Sequence, residues 1–134
     1  MAALAAVLTI ALEGADKTVW DGVYTTAQAD RGKIIYTREC QMCHGANLSG
    51  GSDGAEQVPA LKRENFGLTR RDLNNLYGFI LESMPRNEPG NLSAGGTADV
   101  IAYILQENGY PAGADELKPD PSILETIQFT KKPE

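Results

Sequence analysis

The pentapeptide Cys40-Gln41-Met42-Cys43-His44 constrains this chain more than any other stretch. It contains both cysteines and the one histidine found in 134 residues. A zinc knuckle is excluded on ligand count, because zinc takes four ligands and no other Cys or His is present. A dithiol redox site needs a βαβ setting that this glycine-rich sequence does not offer. The C-x-x-C-H spacing has a third use, the covalent attachment of haem c. Two thiols three positions apart, near a helix end, can form thioethers with the two vinyl groups on one porphyrin edge. The next residue's imidazole then lies under the ring, where it can bind iron.

Length and charge bound the rest. The chain is long enough for about one domain. Apolar residues make up 42 %, enough for a small core whose centre a porphyrin would largely fill. The net charge is −6 with no basic stripe, which argues against nucleic acid and anionic lipid as partners. An acidic carrier suits a docking partner with a basic patch, although the acids could serve solubility alone. Thioethers to haem are formed on the export side of a membrane, so a periplasmic or otherwise exported location is expected. Both cysteines are then committed to haem, and no disulfide is expected. Residues 1–18 form an apolar N-terminal segment resembling part of a signal peptide, without a basic start. Its first twelve residues would make a helix of about 18 Å, too short for a hydrocarbon core of roughly 30 Å.

Along the chain, Thr25-Thr26-Ala27-Gln28 reads as a capping box that starts a helix with Ala29, Gly32, Ile35 and Tyr36 on one face. A Gly-, Ser- and Asn-rich loop follows His44 and is expected to be irregular. A second helix is expected from Thr69, with Asp72 in its first turn and Leu73, Leu76, Tyr77, Ile80 and Met84 on its apolar stripe. Pro85 ends it. Ser93 caps a third helix that buries Val100, Ile101, Ile104 and Leu105 and leaves at Gly109. No strand alternation is evident, so the expected class is all-α. Positions 19–110 would form the domain, and 111–134 an extended Pro-rich tail. Ile123, Leu124, Ile127 and Phe129 are too apolar for that tail to be free, so it is expected to lie against the domain or a partner. The N-terminal segment and the tail are expected to associate with a membrane or a partner complex.

With His44 on one side of the iron, the other ligand must come from elsewhere. Met1 is terminal, and Met42 lies between the cysteines, where it cannot cross to the opposite face. Met84, at a helix end before a proline, is the candidate; a Met on such a stripe would otherwise be core packing. A thioether opposite an imidazole stabilises ferrous iron and fills both axial positions, which suits an electron relay better than a catalyst.

Cys40-x-x-Cys43-His44, Pro59-Ala-Leu61, Ser83-Met84-Pro85 and Asp99-Val-Ile-Ala-Tyr-Ile-Leu105 together resemble the class I monohaem cytochromes c. The resemblance covers roughly Thr25 to Gly109. It implies about three main helices wrapped around one covalent haem c, with Gly32 and Tyr36 of the first helix meeting Tyr103 of the last. It also implies that the Pro59 carbonyl holds the proximal imidazole and that Leu61 contacts the haem. The flanks, Val19 to Tyr24 and Leu117 to Phe129, are similar to cytochrome domains that accompany quinoprotein dehydrogenases. The expected function is single-electron transfer, without catalysis, between redox proteins such as dehydrogenases, oxidases or reaction-centre type complexes. The chain would act as a free carrier or as a subunit. The competing readings are a haem enzyme or gas sensor with an open distal site, and a C-x-x-C oxidoreductase without haem.

Overall fold

A computed structural model of the chain describes residues 16–53 and 56–134, and its elements begin where capping chemistry permits. Thr25 is extended and accepts the Gln28 N–H through its hydroxyl, starting α1 (Thr26–Glu39). The expected capping box is only half formed. Instead of reaching back, the buried Gln28 amide donates to the Leu117 carbonyl at 2.9 Å and accepts the Leu117 N–H at 2.7 Å. The chain breaks helical geometry at Cys40 and resumes it for one turn, α2 (Gln41–His44).

The helix expected from Thr69 begins four residues later, as α3 (Leu73–Ser83). Asp72 is its cap and not part of its first turn: the carboxylate accepts the Asn75 N–H at 3.0 Å, and residues 66–70 are spent in short turns. Ser93 caps α4 (Ala94–Glu107) through the Gly96 N–H, and Gly109, with φ +82°, turns the chain away. Among the described residues there are five helices, the fifth being the single turn α5 (Pro121–Leu124).

Short strands appear where none was expected. β1 (Lys17–Thr18) pairs in parallel with β4 (Ile127–Gln128), Lys17 opposite Ile127 and Thr18 opposite Gln128. β2 (Gly51–Asp53) and β3 (Glu56–Val58) form a small antiparallel ladder inside the loop expected to be irregular. Pieces of two or three residues are too short to display a period of two, which is why pattern alone misses them.

The core forms where α1 crosses α4. A Cβ on Gly32 would lie 1.8 Å from the Asp99 carbonyl oxygen and 3.0 Å from Tyr103 Cβ, so only glycine permits this approach. Beside it the Tyr36 and Tyr103 rings stand 5.4 Å apart. Leu73, Leu76, Tyr77 and Ile80 of α3 pack with Val100, Ile101, Ile104 and Leu105 of α4. The tail lies against the domain. Leu117, Leu124, Ile127 and Phe129 are buried in the same core, whereas Ile123, expected to be covered, is 38 % exposed. Residues 1–15, most of the apolar N-terminal segment, lie outside the described part. No helix among the described residues is long and apolar enough to cross a membrane.

Candidate haem-binding site

Three elements carry the candidate ligands. Cys40 closes α1, Cys43 and His44 lie on α2, and Met84 closes α3. Pro59 and Leu61 follow β3 on a loop that turns back over α2. Of these six residues, His44 and Pro59 are joined directly, with His44 Nδ1 2.9 Å from the Pro59 oxygen. A carbonyl can only accept, so Nδ1 carries the proton and Nε2 keeps a free lone pair. An imidazole fixed in this tautomer is ready for a metal.

The loop that provides the Pro59 carbonyl is itself clamped. The Leu48 carbonyl accepts the N–H groups of Leu61 and Lys62 at 2.8 and 3.1 Å. Leu48 is fully buried and has φ +60°, and the Gly50 N–H donates to the His44 carbonyl at 2.8 Å. A Cβ on Gly50 would fall 2.5 Å from the Val58 oxygen, so the two sides of the loop touch backbone to backbone. Asn108, just past α4, donates to the Leu61 carbonyl at 2.7 Å. The Tyr36 hydroxyl donates to the Gly45 carbonyl at 2.6 Å. Sequence reasoning missed Leu48, Gly50 and Asn108; Gly109 signalled the helix end but not this contact.

The thiols are half-buried. Burial, and then the neighbouring Glu39 and Cys43, push the Cys40 thiol up to about 11. Reactive dithiol cysteines are shifted the other way, toward the thiolate. Met42 is 90 % exposed and directed away from the core, as its place between the cysteines required. Met84 is half-buried against the core in extended backbone geometry, its N–H bonded to the Ile80 carbonyl. Ile35, Leu61 and Leu81 are likewise half-buried on the same core and leave apolar surface uncovered. Half-covered thiols, half-buried aliphatic groups and an imidazole whose Nε2 is free fit a porphyrin.

Arg70 adds an orphan cation. Its guanidinium lies 5.4 Å from the centre of the Phe79 ring, and no carboxylate pairs with it among the described residues. Burial and the nearby Arg63 lower its proton affinity.

Comparison with known proteins bears on family and fold. A family profile described as "Cytochrome C oxidase, cbb3-type, subunit III" matches residues 27–104. Thiosulfate dehydrogenase of Stutzerimonas stutzeri (strain A1501) is 31 % identical over 99 residues, which is 71 % of this chain and 30 % of that protein. The chain therefore spans under a third of the length of this curated relative. Among solved structures, the sulfane dehydrogenase SoxCD of Paracoccus pantotrophus superposes with a TM-score of 0.52 at 22 % identity. The match covers 68 % of this chain and 53 % of that one, and at this identity the likeness concerns the fold alone.

Proposed function

Because the chain belongs to the cytochrome c family, we propose that it is a monohaem electron-transfer protein with one haem c held covalently by Cys40 and Cys43. His44 and Met84 are the axial ligands in this reading, with Pro59 orienting His44 and Leu61 packing on the porphyrin. The observation that carries it is the His44 Nδ1–H bond to the Pro59 carbonyl at 2.9 Å, which leaves Nε2 as the ligating atom. Haem c supplies a one-electron ferric–ferrous couple when bound.

The protein's own groups do the rest. The two thioethers fix the porphyrin edge, and the clamp from Leu48 and Asn108 holds the Pro59–Leu61 loop still. The Met84 thioether would be the second iron ligand, and a haem held by two protein ligands would suit electron relay better than catalysis. Arg70, half-buried without a carboxylate, is a suitable counter-charge for a porphyrin propionate. Partners are redox proteins on the exported side of a membrane; the similarity to a thiosulfate dehydrogenase supports that class. Residues 19–110 carry the haem ligands in this reading, the 111–134 tail completes their core, and the apolar N-terminal segment is the point of association with a membrane or a partner complex.

Covalency is tested by acid–acetone extraction followed by a denaturing gel. The haem should stay with the polypeptide and stain a band at the chain's mass, and haem recovered in the organic phase would refute attachment through Cys40 and Cys43.

A further inference from the structure

Away from the haem ligands, a cleft of about 350 Å³ opens between residues 63–68 and Thr130, Lys131 and Lys132 of the tail. Its aromatic part is Trp20, whose ring centre stands 4.5 Å from that of Tyr110 at an angle of 55°. Its rim carries Arg63, Lys131 and Lys132 against a single acid, Glu64. This distribution runs counter to the chain's net charge of −6. The three rim cations, like Lys17, Lys33, Arg70 and Lys118, have no carboxylate partner among the described residues, and only here do three such cations line one cleft.

The parts are held in register. Trp20 Nε1–H donates to the Thr130 carbonyl at 2.9 Å, so the indole is tied to the strand of tail that carries both lysines. On the opposite side Asn108 Oδ1 accepts the Arg63 N–H at 3.1 Å, and the Tyr110 hydroxyl donates to the Phe66 carbonyl at 2.5 Å. A volume near the lower end of ligand pockets, an aromatic face and unpaired cations around it define a recognisable chemistry. We propose that this cleft binds a small organic acid, its flat apolar body against Trp20 and its carboxylate or other oxyanion among Arg63, Lys131 and Lys132. The proposal is independent of the axial-ligand assignment.

Trp20 is the one tryptophan in the chain, so its indole N–H gives a single assignable nuclear magnetic resonance signal. The test titrates the reduced, haem-loaded full chain with benzoate at constant ionic strength. Benzyl alcohol serves as the uncharged analogue and inorganic sulfate as the anion without an apolar body. The indole signal should shift saturably with benzoate, at least about tenfold more tightly than with either control. The exposed double variant Lys131→Glu/Lys132→Glu should weaken benzoate about tenfold or more while leaving the haem absorption spectrum unchanged. The proposal is overturned by a non-saturating shift, by equal binding of benzyl alcohol or sulfate, or by unchanged affinity in the charge-reversed variant.

Discussion

Met84 poses a choice between two ordinary roles of methionine, filling a gap in a core and ligating a metal. Its half-buried place at the mouth of α3 leaves part of the side chain uncovered, which core filling alone would not favour. Met84→Ala should retain covalent haem, lose the weak red charge-transfer band of methionine-ligated ferric haem, and bind cyanide or carbon monoxide readily. Met84→His should stay low-spin with a lower reduction potential, because a second imidazole favours ferric iron. An unaltered spectrum and potential in the alanine variant would assign Met84 to packing. The candidate ligands were legible in the sequence because their chemistry is local: two thiols and an imidazole fall within five positions, and methionines are few. Leu48 and Asn108 were not legible. Their contribution is a backbone carbonyl and an amide delivered across space to Leu61, and neither residue type advertises that service.

At the scale of the element, the caps at Thr25 and Ser93 could be read beforehand, since each depends on residues within one turn, and the glycine crossing followed from the family resemblance. The start of α3 could not. Both Thr69 and Asp72 are good caps, and the choice fell to Asp72, whose buried carboxylate also meets the Arg71 guanidinium at 2.9 Å. Two glycines on the crossing helices make opposite predictions. Gly32 has a backbone carbonyl 1.8 Å from where a Cβ would sit, so Gly32→Val must push α4 away. The resulting overpacking should cost about 1–3 kcal/mol and lower the melting temperature of the haem protein. Gly95, on the exposed face of α4, has nothing within 4 Å of its Cβ position. Gly95→Ala should therefore stabilise by about 0.4–1 kcal/mol, through a less flexible unfolded chain. Thermal unfolding of the two variants checks both signs, and equal tolerance would remove the close crossing.

For the whole molecule, the tail changes what the domain is. Its apolar residues pointed to burial, but the sequence could not say against what. The answer depends on long-range pairings: Gln28 with Leu117, β1 with β4, and Phe129 in the space left by Gly67, where a Cβ would fall 2.2 Å from the ring. These contacts close the core around tyrosines, and burial is the leading cause that raises all five, Tyr24, Tyr36, Tyr77, Tyr103 and Tyr110, above the usual 10.0. The neutral phenol is the form the fold accepts. As pH rises past 10, the unfolded chain releases tyrosine protons that the folded chain still holds, and the equilibrium moves toward unfolding. The tyrosine contribution is thus complete below pH 10 and declines above it, toward the raised values of the folded state. The guanidinium midpoint for unfolding should be insensitive to tyrosine ionisation up to that pH and fall steadily beyond it. Tyrosinate absorption should grow together with loss of the native haem spectrum. Tyr24→Phe, which removes one titrating phenol along with its bond to the Tyr110 carbonyl, should start from lower stability but lose it less steeply with alkali. If tyrosinate instead forms near pH 10 in a protein that remains folded, the tyrosines are accessible and the tail does not seal the core.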